Sequence, residues 1–405
     1  MANKPLTSRT APALPLVRLR HGAQRRVLYG HPWAYSNEIA MDERARSLAP
    51  GTAVTLSSDD GRRLGTFLFN PHALIAARLI DPQPDARVDA ELLSARIVRA
   101  KALRDRLFDA PFYRLIHAEA DGLPGTIVDR YDSLLVVQVN TAGMEKLTAE
   151  LIAALEATLE PKTILLRNDS SARMLEGLSP DIRLAKGTID PPVTLIENGV
   201  TFAADPGGGQ KTGWFFDQRD NRAMVARLAR DRRMLDLYTH TGGFALTAAA
   251  SGARSVLAVD RSEPALALAA DAAKRNDLSD RVIFWRGEVF ETATSLIDSG
   301  ERFDIVVADP PAFVKSKKEL NQGARGYRKL ARLAAMLVAP GGFLFIASCS
   351  HNMPADEFDE QVRRGLFDAG RSGRILARTG AAADHPLHPA LPESAYLKAE
   401  LIALD

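Results

Sequence analysis

A chain of 405 residues exceeds one ordinary domain and suits two or three, each large enough to bury its own core. With 46% hydrophobic and 25% charged residues and no apolar run near the length of a bilayer crossing, the composition excludes a membrane span. The start, Met1 to Pro15, is interrupted by Lys4, Pro5, Arg9, Pro12 and Pro15, which argues against a secretory leader and predicts a cytoplasmic protein.

The single cysteine, Cys349, excludes an intramolecular disulfide, and no Cys/His cluster has zinc-finger spacing, so no metal is expected. The formal net charge of +2 is too small to argue for a polyanionic partner by itself. Its distribution is uneven, however: Lys4, Arg9, Arg18, Arg20, Arg25 and Arg26 fall between Met1 and Asn37 with no acid among them. That end carries a positive field, either as a solvated tail or as a grip on phosphates.

From Leu16 to about Ile80 the chain reads as short strands and tight turns: Gly51 to Leu56, Leu64 to Phe69 and Leu74 to Ile80, with Asp60-Gly61 marking a hairpin. Ala90 to Phe108, rich in Ala, Arg and Leu, predicts a connecting helix. Between Tyr113 and Leu184 strands are expected at Thr126 to Val128, Leu134 to Val139 and Thr163 to Leu166, with a helix from Met144 to Leu159. Next comes a hairpin, Val193 to Ile196 with Thr201 to Ala203, turning at Asn198-Gly199.

From there strand and helix signals alternate. Strands are expected at Met234 to Tyr238, Ser255 to Asp260, Val282 to Trp285, Phe303 to Ala308 and Gly342 to Ala347, with helices at Pro264 to Asn276 and Arg328 to Val338. This alternation predicts an α/β protein with a doubly wound parallel sheet. The expected division is a β-rich module over 1–85, an α+β region over 86–190 and a Rossmann-like domain over 191–405.

In such sheets the ligand binds beyond the carboxyl ends of the strands. After the first strand of the last domain, Asp236-Leu-Tyr238-Thr-His-Thr241-Gly242-Gly243-Phe244 is a turn of small residues that admits a ligand to the backbone. Without a full GxGxxG or a Lys-Ser/Thr it is no phosphate loop, and its glycines alone equally suit a tight turn. Asp260, 24 residues after Asp236, ends the next strand and can accept from both hydroxyls of a ribose. Glu288, with Val289 behind it, follows the third strand and could take an adenine amino group. These tips suit a dinucleotide or S-adenosylmethionine. The fourth, Asp309-Pro310-Pro311, holds a carboxylate on a backbone stiffened by two prolines, and it resembles the target-base motif of class I nucleic-acid methyltransferases.

With that element in place the chain resembles the bacterial cytosine-5 methyltransferases of large-subunit ribosomal RNA. The matching segments are His31-Pro-Trp33, Gly122 to Gly125, Lys211-Thr-Gly213, Asp217-Gln218-Arg219, Tyr238 to Phe244, Asp309 to Pro311, Gly326-Tyr327, Ser348-Cys349-Ser350, Asp384 to Pro386 and Tyr396 to Lys398. The resemblance implies an N-terminal PUA domain, a central α+β domain, a C-terminal Rossmann-like class I methyltransferase domain, and S-adenosylmethionine as cofactor. It also implies that Asp217, Gln218 and Arg219 border the cofactor; from spacing alone Asp217 is an ordinary helix N-cap. The implied partner is large-subunit ribosomal RNA, with a homodimer as the quaternary expectation and no membrane. Two positions depart from the pattern: Ala312 follows the prolines in place of a polar residue, and Ala120 replaces a glycine before Leu-Pro-Gly.

Cytosine C5 is a poor nucleophile until a group adds at C6, and a thiolate both attacks and leaves well. Cys349 follows the fifth strand, beside Asp309, and is assigned that role; Asp309 is assigned the N3/N4 edge of the base. Two other functions stay open. One is methylation of a purine nitrogen or exocyclic amine, which needs no cysteine and usually places an aromatic directly after the prolines, where Ala312 stands with Phe313 next. The other is a non-catalytic RNA-binding assembly factor.

Overall fold

The computed structural model describes residues 13–209 and 212–405. Lys4 and Arg9 of the basic run, and Lys211, lie outside the described residues. The chain divides into two compact units, Met1–Ile189 with Pro386–Pro392, and Asp190–His385 with Glu393–Asp405.

The first unit holds two five-stranded sheets. In the first sheet β1 (Leu16–Arg18), β2 (Trp33–Tyr35), β3 (Thr52–Ser57), β4 (Arg63–Phe69) and β5 (Ile75–Asp81) lie in the order β1-β3-β4-β5-β2, with short helices α1 (Gln24–Leu28) and α2 (Glu43–Ser47). The Asp60-Gly61 hairpin forms as expected, pairing Thr55 with Thr66, and Val54, Leu56, Phe67 and Phe69 fill the core.

Helix α3 (Ala90–Leu107) starts where Asp89 accepts the Leu92 amide at 3.1 Å. It packs Leu93, Ile97 and Ala100 on the second sheet: β6 (Phe112–His117), β7 (Thr126–Tyr131), β8 (Leu134–Val139), β9 (Thr163–Asn168) and β10 (Asp181–Lys186), in the order β10-β9-β8-β7-β6. Neither β6 nor β10 was expected, because Arg114 and His117, or Asp181, Arg183 and Lys186, break their apolar pattern. Arg114 is accommodated by a cross-strand pair with Asp129 at 2.7 Å. The helix expected from Met144 to Leu159 is two, α4 (Ala142–Lys146) and α5 (Thr148–Leu159). Thr148 Oγ1 donates to the Glu145 carbonyl at 2.8 Å across the break, a local bond that competes with the helical ladder.

The second unit opens with the expected hairpin, β11 (Val193–Glu197) and β12 (Val200–Ala204), then helix α6 (Arg219–Ala226). A seven-stranded sheet follows from β13 (Arg233–Leu237), β14 (Ser255–Asp260), β15 (Val282–Arg286), β16 (Phe303–Ala308), β17 (Val338–Ser348), β18 (Gly373–Thr379) and β19 (Lys398–Leu404). The order is β15-β14-β13-β16-β17-β19-β18, parallel through β17. The purely parallel sheet is corrected on one side, where β19 lies antiparallel to both neighbours. Its helices are α7 (Gly243–Ala250), α8 (Glu263–Arg275), α9 (Val289–Asp298), α10 (Leu320–Leu337) and α11 (Ala355–Asp368).

Helix α10 begins eight residues before the expected Arg328, with Gly323 inside it. A Cβ there would meet the Phe313 carbonyl at 2.7 Å and Val314 at 2.4 Å, so the glycine lets the helix lie against the chain leaving Asp309-Pro-Pro. The parallel order reverses at β13, flanked by β14 and β16, which puts the switch point at its carboxyl end. Among the described residues no helix is long and apolar enough to cross a membrane, and no His/Cys/Asp/Glu group could hold a metal ion.

Candidate active site

Asp236, near the end of β13, is turned inward. Its Oδ2 accepts from Thr239 Oγ1 at 2.6 Å and from the Ala245 amide at 3.0 Å, so the side chain shapes the loop and caps the start of α7. Burial pushes this carboxyl up to about 7; the two hydrogen bonds oppose that, and the nearby charge of Asp309 adds to it. Its Oδ1 is buried with no hydrogen-bond partner among the described residues. The loop is strained: Tyr238 and His240 have φ of 65° and 52°, and Gly242 follows at 82°. Thr241 and Phe244 pack inward, Phe244 with its ring 5.1 Å from that of Phe345.

Asp260 is held by the amides of His240 at 2.9 Å and Ser262 at 2.8 Å, one on each carboxylate oxygen. Each oxygen keeps a lone pair for a further donor. Glu288 stands exposed at the start of α9 and caps nothing with its side chain, while the side chain of Val289 belongs to the core. Burial raises the Tyr238 hydroxyl above its usual range, and the charges of Glu288 and Asp260 push the same way.

Asp217 is not the helix N-cap that spacing suggested; α6 starts two residues later and has no side-chain cap. Asp217 is buried, and its Oδ2 accepts a hydrogen bond from Tyr396, whose ring lies 5.9 Å from that of His351. Gln218 accepts from Asn221 at 2.6 Å, and Arg219 Nε lies 3.6 Å from the buried Glu197 carboxylate.

The tips of β16 and β17 are adjacent, since Ala308 pairs with Ile346. Half-buried Asp309 follows the first and Cys349 the second, with the Cys349 thiol 3.8 Å from the Pro310 carbonyl. Several bonds fix this pair of turns. Ser350 Oγ accepts the Val314 amide at 3.1 Å and lies 2.8 Å from the Tyr327 hydroxyl, and Asn352 donates to the Lys315 carbonyl at 3.1 Å. Lys398 Nζ donates to the carbonyls of Ser350 at 2.7 Å and Met353 at 2.8 Å. Phe313, one residue beyond Ala312, is packed among Tyr238, Phe290 and Tyr327 at ring distances of 6.4, 6.1 and 4.8 Å.

Tyr327, Ser350, Tyr396 and Lys398 carried no role in the sequence reading, although each lies in a segment singled out there. Helix α10, the turn after β17 and the start of β19 bring them together about Ser350 and His351.

The residues present fit a nucleoside with a charged methyl donor. Asp260 offers acceptors for a ribose diol, Glu288 an acceptor for an amino group, and Asp236 Oδ1 is a buried polar atom with no partner among the described residues. A cation such as a sulfonium is favoured beside so many carboxylates.

Residues 166–390 match the family of S-adenosylmethionine-dependent methyltransferases, and residues 17–82 match a PUA-like domain. The ribosomal RNA large subunit methyltransferase I of Shewanella frigidimarina is 37% identical over 94% of this chain and 97% of its own. That of Shewanella denitrificans is 38% identical over the same shares. Among solved structures, a chain from Streptococcus mutans assigned as a SAM-dependent methyltransferase superposes with a TM-score of 0.81 at 20% identity, covering 96% of this chain and 100% of its own. Another, assigned as a methyltransferase and complexed with SAH, gives 0.82 at 20% identity over 97% and 100%. With its PUA-like N-terminal domain and Rossmann-like sheet, this chain belongs to the family of S-adenosylmethionine-dependent methyltransferases.

Proposed function

We propose that this enzyme methylates C5 of a cytosine in large-subunit ribosomal RNA, with Cys349 as the nucleophile at C6. The relatives' shared name supports the RNA, and the observation that carries the chemistry is the only cysteine of the chain at the tip of β17, 3.8 Å from the Pro310 carbonyl. The packing of Phe313 favours this over amine methylation, because that ring is engaged with three other aromatics and not free to stack on a flipped base.

S-adenosylmethionine, when bound, supplies an electrophilic methyl group. Asp260 would hold its ribose, Glu288 its adenine, and the backbone from Tyr238 to Gly243 its flank, with Asp217 to Arg219 bordering it. The target cytosine leaves its stack, which favours a loop or single-stranded nucleotide. The Cys349 thiolate forms a bond to C6, and the electron pair displaced from the C5–C6 bond makes C5 nucleophilic. Asp309 contacts the N3/N4 edge of the base and, when it carries a proton, donates it as a hydrogen bond that offsets the charge developing on the ring. After C5 takes the methyl group it loses its proton to a base, the C6–S bond breaks and the thiolate returns.

The residues around 1–85 serve as the RNA grip, 86–190 as a connecting domain and 191–405 as the catalytic domain, acting in the cytoplasm. Mass spectrometry of nucleosides from methylated ribosomal RNA tests the reading. Cys349→Ala should abolish 5-methylcytosine and leave cofactor affinity intact in calorimetry; product retained by that variant, or a methylated amine from the wild type, overturns it.

A further inference from the structure

Lys398 lies on β19 opposite Ser348 of β17, one residue before the cysteine. Its ammonium reaches the turn after β17 and donates to the Ser350 and Met353 carbonyls at 2.7 and 2.8 Å, which uses two of its three N–H donors. The side chain is half-buried, and its ammonium sits on the turn that carries Cys349, whose charge acts on it. We infer that Lys398 is the positioning residue that holds the Cys349 turn and stabilises its thiolate, an inference that rests on Cys349 being the nucleophile.

Without such a cation the surroundings favour the neutral thiol. The Pro310 carbonyl oxygen lies 3.8 Å from Sγ, the carboxylate of Asp309 precedes it in the chain, and the Tyr327 hydroxyl on α10 also feels the cysteine's charge. A carbonyl dipole and a carboxylate both oppose a second negative charge. Lys398 is a cation that reaches the same turn from β19, the other neighbour of β17.

Burial draws the Lys398 ammonium down to about 8, and a charge on Cys349 pushes it back up. The coupling is reciprocal by linkage: an ammonium favoured by the thiolate favours the thiolate equally. An opposite charge at close range moves a titration by about 1–3 pH units.

Because Cys349 is the only cysteine, its titration can be read directly from the pH dependence of alkylation by iodoacetamide in the full chain. Lys398→Met should raise the thiol midpoint by about one pH unit or more and slow alkylation at neutral pH about tenfold. Lys398→Arg should stay near the wild type. Lys398→Gln, which keeps donors for the two carbonyls without the charge, should behave like Met; it also serves if the Met variant does not fold. Unchanged midpoints in the Gln variant overturn the electrostatic role.

The nucleophile reading is tested separately, by 5-methylcytosine formation in Cys349→Ala. Product retained there removes the catalytic meaning of the thiol, whereas the titration still decides whether Lys398 governs it.

Discussion

Arg222 and Glu197 form a buried ion pair, Nη1 to Oε1 at 2.6 Å, that ties helix α6 to the hairpin ahead of the sheet. The same guanidinium lies 4.4 Å over the Trp214 ring and fills the space in which a Cβ at Gly243 would sit, 2.5 Å from Nε. The glycine at the start of α7 thus exists for the arginine's approach as well as for any ligand. Gly243→Ala forces the Arg222 guanidinium to shift from its place beside Glu197. We expect a stability loss of about 1–3 kcal/mol, typical of overpacking, seen as a lower midpoint in urea unfolding. Cofactor affinity should fall with it, because the loop from Asp236 leads directly into α7. An unchanged midpoint would mean that the arginine relaxes freely.

The buried Asp236 makes stability depend on pH in an unusual direction. Its carboxyl ionises near 3.8 when unfolded and is pushed up to about 7 by burial in the fold. Between these values the folded chain binds the proton that the unfolded chain has lost. Stability therefore falls as pH rises through this window, by about 1.4 kcal/mol per pH unit at most, and levels off above it. Asp236→Asn removes the titration and should flatten that part of the curve. Glu400, also pushed up to about 7 by burial, contributes with the same sign, but it is present in both proteins. The difference between wild type and variant in urea unfolding at pH 5, 6, 7 and 8 thus isolates Asp236. A constant difference across the series would show that Asp236 ionises normally.

In the first unit Arg104 and Asp121 make a two-pronged bond at 2.6 and 2.8 Å, with the arginine side chain fully buried. Asp121 Oδ2 also accepts the His117 amide at 2.6 Å, and Arg104 Nε donates to the Arg114 carbonyl at 3.0 Å, so the pair joins α3 to β6. Asp121→Ala takes the two-pronged carboxylate away from a buried guanidinium and should destabilise this unit by about 3–5 kcal/mol. Replacing both residues together, Arg104→Met with Asp121→Ala, should recover part of that loss. A double variant no more stable than the single one would assign the damage to the lost His117 contact.

The legible parts of the site were those written in consecutive residues at strand ends. Asp260 was visible because a six-residue apolar strand ends on an acid 24 residues after Asp236, and Cys349 because it ends another such strand. Tyr396 and Lys398 stood in a matching segment but gained no role, because β19 reads Lys-Ala-Glu-Leu-Ile-Ala-Leu, a run of helix formers that becomes a strand only when paired between β17 and β18. Tyr327 was hidden differently, since Gly323 and Gly326 look like helix breakers until the chain after Asp309-Pro-Pro is seen lying against them. Asp217 shows the opposite failure: a plausible cap by spacing, it is claimed by a tyrosine 179 residues away.

The RNA grip assigned to the PUA-like region can be split into its electrostatic and stacking parts. Arg18 and Arg25 are exposed, whereas Arg26 is engaged with His31 at 3.0 Å and lies over the Tyr35 ring at 4.7 Å. Arg25, Arg26, Tyr29 and His31 line one concavity, and the Tyr29 side chain is 79% exposed at its edge. Each phosphate released from its counterions steepens the salt dependence of binding by about 0.7–0.9 in log K against log salt. Arg18→Gln with Arg25→Gln should therefore weaken ribosomal RNA binding and flatten that slope by about 1.4–1.8 in a filter-binding or anisotropy titration. Tyr29→Ala should cost about 1–3 kcal/mol of affinity if a base stacks on the ring, with the slope unchanged. Arg26 should be left intact in both, because its loss would disturb His31 and Tyr35 as well as any phosphate. If neither variant changes affinity or slope, the basic face of this domain is a solvated surface, and RNA is held through the catalytic unit alone.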